Sequence, residues 1–330
     1  MTETTETTEA AVTAYDLVSM GRIGVDLYPE QIGVPLEHVR TFRKMLGGSA
    51  TNVAVAAARN GRRAAIVTRV GDDGFGRFCR EAVAAFGIDD RYVGIHPTLR
   101  TPLAFCEIHP PDDFPLLFYR EPRAPDLELT VDELDRPAIE SARVLWTTGT
   151  GLSVEPSRTT TLTAMSWRAA DAITIHDLDH RPMFWPSLQD ARDFGREAVS
   201  RATVAVGNRE EASVVVGEGE PRELARRLLD LGVRLAIVKL GPLGVLAMTR
   251  DEEVVVPPIP VDVVNGLGAG DAFGGALVHG LLAGWRVERT VRYANAAGAL
   301  VAGRLGCADD MPLATEIEQL LAGADAATSR

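Results

Sequence analysis

A glycine-rich stretch in the last third of the chain carries the residues best suited to chemistry. It reads Asn265-Gly-Leu-Gly-Ala-Gly-Asp271 and is followed at once by an apolar helical segment, 272–283. Alternate glycines let backbone N–H groups turn toward one point, and the positive end of the following helix faces the same point, which suits a phosphate. A carboxylate would not bind that anion, so Asp271 is predicted to be the base that deprotonates an attacking hydroxyl. The predicted anion cradle is Gly268, Ala269 and Gly270.

The glycine-rich stretch also has a purely structural interpretation. A glycine-rich turn before a buried helix, with Asp271 only capping it, would have the same residues. The dinucleotide fingerprint G-x-G-x-x-G does not match, because the sixth position counted from Gly266 is Asp271. The nucleotide motif G-x-x-x-x-G-K-[ST] does not occur in the sequence. A phosphate site here would therefore belong to another kind of fold.

Two further places could bind a hydroxylated ligand. Gly47 and Gly48 open a helical segment and allow close backbone approach, and Asn52 can both donate and accept hydrogen bonds. Asp26 follows the first strand, where a carboxylate could accept hydrogen bonds from vicinal hydroxyls. The plain alternatives are a helix start capped by Ser49 and an exposed turn aspartate.

Residues at later strand ends suit a nucleotide. Asn208, with Glu211 three residues on, could organise a hydrated Mg²⁺, which keeps most of its waters. Lys239 closes a strand before a turn with Gly241 and Gly244, and suits a nucleotide wall. A helix start with solvated charges is the alternative for the Asn208–Glu211 pair.

Two arginines could recognise an anion. Arg120 and Arg181 could each grip a carboxylate or a phosphate through two parallel hydrogen bonds. A surface ion pair, the usual fate of an arginine, is the alternative for both.

Alternating strands and helices must position these residues. Predicted strands are 15–20, 64–70, 144–148, 173–177, 203–206, 235–239 and 245–248, and predicted helices are 49–60, 77–86, 156–170, 190–200 and 221–231. This alternation predicts an α/β fold with a mostly parallel sheet covered on both faces. Segments 26–46 and 101–120 break the pattern and are predicted to leave the main sheet as a lid. Residues 1–13 are predicted to be a disordered tail before one domain, 14–330.

The composition excludes several classes of protein. The 330 residues are 46% hydrophobic and 24% charged, which is ordinary for a globular protein. A formal net charge of −12 argues against a general nucleic-acid binder. The three cysteines lack metal-ligand spacing and are typical of reduced cytosolic thiols. No apolar stretch approaches the ~20 residues that cross a bilayer. The sequence thus predicts a cytoplasmic protein without nucleic-acid or membrane partners.

Taken together, the motifs resemble those of the ribokinase-like (PfkB) carbohydrate kinases. The resemblance runs from about residue 15 to 312 and rests on Gly47-Gly48-x-x-x-Asn52, Asn208-x-x-Glu211 and Gly268-Ala-Gly-Asp271, in that order. Within the family, Phe118-Tyr-Arg-Glu, Ala124-Pro-Asp-Leu-Glu-Leu, segment 177–185 and Asp309-Asp-Met-Pro resemble the branch that phosphorylates 5-dehydro-2-deoxygluconate. The 2-keto-3-deoxygluconate kinases share part of that set.

The resemblance implies a three-layer α/β/α ribokinase-like fold with a small β lid, through which such proteins often form homodimers. It implies ATP and Mg²⁺, and a monovalent cation such as K⁺ is common nearby. Asp271 matches the catalytic base, and the glycine loop matches the anion hole. Asn295 lies near the expected adenine wall. Asp26, Gly48 and Asn52 match positions that bind the sugar. Arg120 and Arg181 match arginines near the acid group or the transferred phosphate. Asn208 and Glu211 match the motif that binds Mg²⁺ and phosphate.

One departure concerns the cation. The family commonly has Asp-Thr-x before Gly-Ala-Gly-Asp, whereas this chain has Asn265-Gly266-Leu267. A backbone contact to phosphate survives that change, but a threonine hydroxyl contact and a carboxylate facing the cation do not. The sequence therefore does not decide whether this chain has a K⁺ site.

The predicted function is ATP-dependent phosphorylation of the primary hydroxyl of a sugar acid, 5-dehydro-2-deoxy-D-gluconate, in myo-inositol catabolism. A 2-keto-3-deoxygluconate kinase or a neutral-sugar kinase such as fructokinase or ribokinase is the first alternative. A sugar-sensing pseudokinase is the second, given the altered residues 265–267. An NAD-dependent oxidoreductase is disfavoured by the glycine spacing.

Overall fold

Strands and helices alternate through residues 15–328, the part of the chain that the structure, a computed structural model, describes. The predicted tail over residues 1–13 lies outside the described residues. The strands are β1 (Leu17–Met20), β2 (Gly24–Pro29), β3 (Phe42–Gly47), β4 (Ala64–Gly71), β5 (Val93–His96), β6 (Leu103–Cys106), β7 (Leu116–Tyr119), β8 (Val144–Thr148), β9 (Ile173–Asp177), β10 (Val204–Asn208), β11 (Leu235–Lys239), β12 (Val245–Met248) and β13 (Glu253–Val256). The α-helices are α1 (Ser49–Arg59), α2 (Gly74–Ala85), α3 (Arg136–Ser141), α4 (Ser157–Ser166), α5 (Leu188–Arg201), α6 (Arg209–Val216), α7 (Pro221–Asp230), α8 (Ala269–Leu282), α9 (Val287–Ala302) and α10 (Ala314–Thr328).

A nine-stranded sheet lies at the centre, with the strand order β13-β12-β11-β10-β9-β8-β1-β4-β5. All pairings from β11 across to β5 are parallel, and β12 and β13 add antiparallel pairings at one edge. Parallel strands need crossover connections, which the helices largely supply. Their carboxyl ends therefore meet at one edge of the sheet, where ligands bind in folds of this type.

Successive residues of the central strands enter two separate hydrophobic clusters. Leu17 of β1 and Ile66 of β4 belong to the cluster that includes residues of α1, α8 and α9. Their neighbours Val18 and Ala65 belong to the cluster that includes residues of α4, α5 and α7. Side chains alternate along a strand, so apolar runs are needed to bury both faces. The predicted three-layer α/β/α architecture is confirmed.

A second sheet of four strands, in the order β3-β2-β6-β7, stands apart from the main sheet. Strand β2 pairs antiparallel with β3 and parallel with β6, and β6 pairs antiparallel with β7. These strands come from the two stretches in which the sequence breaks the β-α alternation. This small sheet is the β lid that the resemblance implies.

The start of α1 differs from its prediction. Ser49 is the first residue of the helix rather than its cap, and Gly48 is the N-cap, with φ of 101°. The Ser49 hydroxyl instead donates to Oδ2 of Asp179 at 2.9 Å. The Ser49 hydroxyl therefore bonds to a buried carboxylate that follows β9, and not to the backbone N–H groups at the start of α1.

Within the described residues, no helix is long and apolar enough to cross a membrane.

Candidate active site

A cleft of about 430 Å³ lies at the carboxyl ends of the parallel strands, with residues of the lid on one side. The main sheet contributes residues that follow β1, β9, β10 and β11, and the glycine-rich loop closes another side. The volume is in the range of small-molecule sites. Topology thus brings together side chains that are far apart in the sequence.

Asp271 lies on the first turn of α8 and lines the cleft. Its Oδ2 accepts a hydrogen bond from Nδ2 of Asn52 at 2.8 Å. Burial raises the pKa of Asp271 to about 6, against the opposing effect of the Asn52 hydrogen bond. The carboxylate is therefore ionised at neutral pH yet more basic than a solvated aspartate, which suits a general base. The N-cap of α8 is Gly268, so Asp271 is not the capping residue.

The glycine-rich loop leaves the start of α8 open. Gly268 has φ of +81°, and a Cβ on it would lie 2.5 Å from Sγ of Cys307. The N-cap makes no side-chain capping bond. Ala269 and Gly270 belong to the first turn of α8, the positive end of the helix, and Gly268 and Gly270 line the cleft. An anion bound there would be stabilised by the N–H groups of that turn.

A lysine adds positive charge at the same place. Nζ of Lys239 lies 3.2 Å from the position of a Cβ on Gly270. Burial lowers the pKa of Lys239, but the carboxylates of Asp177, Glu211 and Asp271 outweigh burial and raise it. The ammonium group is thus charged and lies next to the predicted anion cradle. Burial also raises the pKa of Asp177, although Lys239 opposes the rise.

The predicted sugar-binding residues lie on the lid side of the cleft. Asp26 on β2 accepts a hydrogen bond from the hydroxyl of Tyr28 at 3.3 Å, and burial raises its pKa to about 6. Gly47 packs directly against the Asp26 carboxyl group, because a Cβ on Gly47 would overlap that group. Gly48 and Asn52 line the cleft. Asp26 is thus a strand residue rather than an exposed turn residue.

Asn52 retains an unused acceptor. The residue is 3% exposed, and its Oδ1 makes no hydrogen bond to any described residue. A buried polar atom without a partner is costly. A substrate hydroxyl in the cleft would satisfy that oxygen while Nδ2 holds Asp271.

Arg22 is a cleft residue that was not predicted from the sequence, and it lies two residues after β1. Its Nε donates to Oγ1 of Thr150 at 3.0 Å, and its Nη2 donates to Oγ of Ser49 at 2.9 Å and to Oδ2 of Asp179 at 3.1 Å. Nε of Arg181 lies 3.3 Å from Oδ1 of the same Asp179. The signal available in the sequence was the position of Arg22 just after the first strand, where parallel sheets bind ligands.

Asp179 stays ionised between the two arginines. Burial opposes this, but the charges of Arg22 and Arg181 hold the pKa of Asp179 below its ordinary value. Two guanidinium groups share one carboxylate, so this cluster carries one net positive charge at the cleft.

Arg120 lies in a different environment from Arg181. Its Nη2 donates to Oδ2 of Asp126 at 2.7 Å, and the side chains are 9% and 3% exposed. Arg120 lines a small neighbouring pocket, whereas Arg181 lines the cleft itself. The ion pair expected as an alternative is present, but it is buried rather than superficial.

Asn208 and Glu211 form a capping box at the start of α6. Oδ1 of Asn208 accepts from the Glu211 N–H at 2.8 Å, and Oε2 of Glu211 accepts from the Asn208 N–H at 2.7 Å. Both residues also line the cleft. Among the described residues, no group of three or more His, Cys, Asp or Glu side chains could hold a metal ion. The arrangement fits Mg²⁺ that is held by phosphates and water beside Glu211, since Mg²⁺ keeps several waters.

The remaining residues that were predicted to bind the nucleotide do not all lie in the cleft. Gly241 lines the cleft. Gly244, with φ of +93°, packs against the carbonyl group of Val256. Asn295 on α9 is outside the described cleft lining, and its Nδ2 donates to the carbonyl oxygen of Pro257 at 3.0 Å. Their contacts with a nucleotide stay predictions.

Comparison with known proteins agrees with this geometry. A family model described as pfkB family carbohydrate kinase matches residues 14–314. The chain is 33% identical to the 5-dehydro-2-deoxygluconokinase of Geobacillus kaustophilus over 313 residues, or 93% of each protein. The solved structure of a PfkB protein from Polaromonas has a TM-score of 0.80 and 29% identity, covering 90% of this chain and 99% of that one. A double-mutant fructokinase from Vibrio cholerae, with fructose, ADP and a potassium ion bound, has a TM-score of 0.80 and 26% identity, covering 92% and 97%.

Proposed function

Because the chain belongs to the pfkB family of carbohydrate kinases, we propose that it phosphorylates a sugar acid. It is an ATP-dependent sugar kinase, and kinases of this family use ATP with Mg²⁺. The proposed acceptor is the primary hydroxyl of 5-dehydro-2-deoxy-D-gluconate, and the product is its 6-phosphate. We assign the reaction to myo-inositol catabolism in the cytoplasm. The pseudokinase and oxidoreductase alternatives are set aside, because the family and its kinase-named relatives point to catalysis.

The arginine pair that shares Asp179 is the observation that favours an acid substrate. Arg22 and Arg181 both line the cleft, and Asp179 neutralises only one of their two charges. Nε of Arg181 is buried and lies 3.3 Å from Oδ1 of Asp179, without the geometry of a hydrogen bond. A substrate carboxylate would accept charge-assisted hydrogen bonds from these guanidinium groups. A neutral sugar would offer them only weaker, uncharged acceptors.

The proposed mechanism assigns proton transfer to Asp271. Asn52 holds Oδ2 of Asp271, and the other carboxylate oxygen is left to accept the proton of the attacking hydroxyl. Asp26 and Oδ1 of Asn52 would orient the sugar through its hydroxyl groups. Correct placement of the acceptor lowers the barrier by replacing a chance encounter with a fixed geometry.

Backbone and lysine groups would stabilise the charge that develops on the transferred phosphoryl group. The ammonium of Lys239 lies beside Gly270 in the first turn of α8, where the backbone N–H groups have no partner within the helix. Fixed dipoles and charges of this kind cost no reorganisation during reaction. Mg²⁺ bound with ATP would neutralise further phosphate charge.

We also propose a homodimer that forms through the lid. On β7, Leu116 and Phe118 line the cleft, while Leu117 and Tyr119 point to the opposite face and are 46% and 58% exposed. The ring of Tyr119 meets that of Phe105 with centroids 5.5 Å apart, which extends the apolar surface. A second copy of the lid is the occupant that would bury this surface.

ADP release with Mg-ATP tests the substrate. The panel contains 5-dehydro-2-deoxygluconate, 2-keto-3-deoxygluconate, fructose, ribose and a blank without sugar. A clear preference for the first compound is expected. Preference for another sugar would discard the proposed acceptor and keep the kinase.

Arg181→Ala tests the arginine pair. This variant should raise KM for acid substrates at least about tenfold, the effect of losing one charge-assisted hydrogen bond, and change KM for neutral sugars little. Arg123→Ala is the matched control, because Arg123 is exposed and pairs with Glu128. An equal rise in KM for acids and neutral sugars would contradict the assignment.

A further inference from the structure

A buried asparagine joins two segments beside the glycine-rich loop. Asn265 is 0% exposed. Its Nδ2 donates to the carbonyl oxygen of Leu305 at 2.7 Å, and its Oδ1 accepts from the N–H of Leu267 at 3.0 Å. Its backbone N–H donates to the carbonyl oxygen of Ala302 at 3.1 Å. One residue therefore fixes the entrance of the loop against a segment 40 residues further along the chain.

These partners allow only one orientation of the Asn265 amide. A carbonyl oxygen only accepts and a backbone N–H only donates, so the NH₂ group must face Leu305 and Oδ1 must face Leu267. An aspartate of the same shape would place a carboxylate oxygen against the Leu305 carbonyl oxygen, with no hydrogen between them. Two such buried oxygens are compatible only if a cation or a proton lies between them.

Both segments frame the loop proposed to receive the phosphate. Asn265 precedes Gly268 by three residues, and Cys307 follows Leu305 by two. Gly268 and Cys307 are packed so closely that a Cβ on Gly268 would lie 2.5 Å from Sγ of Cys307. A shift between the segments would thus move the start of α8, and Asp271 with it.

The residues present do not fit a potassium ion at this place. The fructokinase from Vibrio cholerae contains a potassium ion, and K⁺ is bound by several oxygen atoms directed at one point. Here the Leu305 carbonyl oxygen accepts the Asn265 amide, and the Ala302 carbonyl oxygen accepts the N–H groups of Val264 at 2.9 Å and Asn265 at 3.1 Å. The side chain at 265 directs hydrogen atoms, not oxygen, toward Leu305.

We propose that Asn265 is a positioning residue whose amide replaces a monovalent cation, so that phosphoryl transfer by this chain does not depend on K⁺. The amide links the two segments directly, whereas a carboxylate at this position would need a bound cation or a proton to do so. This inference rests on the kinase activity but not on the identity of the sugar.

The test compares the wild-type enzyme with Asn265→Asp in K⁺ and in tetramethylammonium at equal ionic strength. ADP release with Mg-ATP and the best acceptor of the panel gives kcat, and thermal unfolding without substrate gives Tm. The wild type should show the same kcat and Tm in both salts. Asn265→Asp should be impaired in tetramethylammonium, and K⁺ should raise its kcat roughly tenfold and raise its Tm, because a cation then replaces a buried hydrogen bond.

Asn265→Ala is the matched control. It removes the same side-chain bonds without adding a charge, so it should be impaired equally in both salts. Activation of the wild type by K⁺ would overturn the proposal. A K⁺ response of Asn265→Asp no larger than that of Asn265→Ala would overturn it too. The Tm measurement needs no sugar, so a failure to phosphorylate the proposed acid leaves this test intact.

Discussion

The hydrogen bond between Asn52 and Asp271 predicts how the pH dependence of the enzyme responds to mutation. The bond is 2.8 Å long, and it opposes burial, so that the pKa of Asp271 is raised only to about 6. A hydrogen bond to a charged group contributes about 1.5–3 kcal/mol, and one pKa unit corresponds to about 1.4 kcal/mol. Asn52→Leu should therefore raise the pKa of Asp271 by about 1 to 2 units.

The direction of the shift follows from the proposed role of Asp271 as a base. The base works only when it is deprotonated, so activity falls as the pH drops below its pKa. The profile of kcat/KM, which reports the free enzyme, should lose activity below about pH 6 in the wild type. In Asn52→Leu the same loss should begin about 1 to 2 pH units higher. Asp26 also has a pKa of about 6, but its hydrogen-bond donor is Tyr28 and not Asn52. A shift of the acidic side of the pH profile in Asn52→Leu therefore identifies Asp271 as the titrating group.

The assay is ADP release from pH 5 to 9 at low acceptor concentration. Asn52→Leu will also change KM, since Asn52 lines the cleft, but the position of the acid limb does not depend on that change. Asn295→Ala serves as the control, because it removes an asparagine amide outside the cleft lining and should leave the limb in place. An acid limb at the same pH in Asn52→Leu and wild type would refute the assignment of this pKa to the catalytic base.

Three other results are expected. Asp271→Asn should lower kcat by about 10²–10⁴-fold with little loss of sugar affinity, and an unchanged kcat in steady-state assays would remove Asp271 from the base role. Lys239→Met should lower kcat by about 10²–10³-fold, because it removes the ammonium beside Gly270, and Lys239→Arg should retain more activity; equal rates for Lys239→Met and wild type would exclude a role in transfer. Leu117→Asp should convert the proposed dimer to a monomer of 35.4 kDa in light scattering without unfolding it, and a monomeric wild type would contradict the lid interface.

The layered architecture could be predicted from the sequence, because the patterns that indicate strands and helices are local. Apolar runs separated by helical segments predict buried parallel strands, and the predicted strands 144–148, 173–177 and 235–239 match the observed ones. Element ends were less accurate where a side chain has a choice of partners. Ser49 had the pattern of a helix cap, but its hydroxyl bonds to Asp179 instead.

The glycine-rich loop is the part of the site that the sequence determined by itself. The residues from Gly268 to Asp271 are contiguous, so their geometry depends mainly on glycine conformations and on the following helix. Strand ends such as Asn208 and Lys239 were also predictable as cleft residues, because parallel strands direct their carboxyl ends to one edge.

Only the tertiary structure decided which of these groups pair. Arg22 meets Asp179 across 157 residues, Asp271 meets Asn52 across 219, and Asn265 meets Leu305 across 40. Such partners depend on strand order and on how closely segments pack, which no local pattern encodes. Burial then sets whether a carboxyl group is acidic or basic, because the cost of desolvating a charge depends on everything packed around it. The sequence therefore predicted the chemistry, and the packing of distant segments determined which of the predicted side chains lie together.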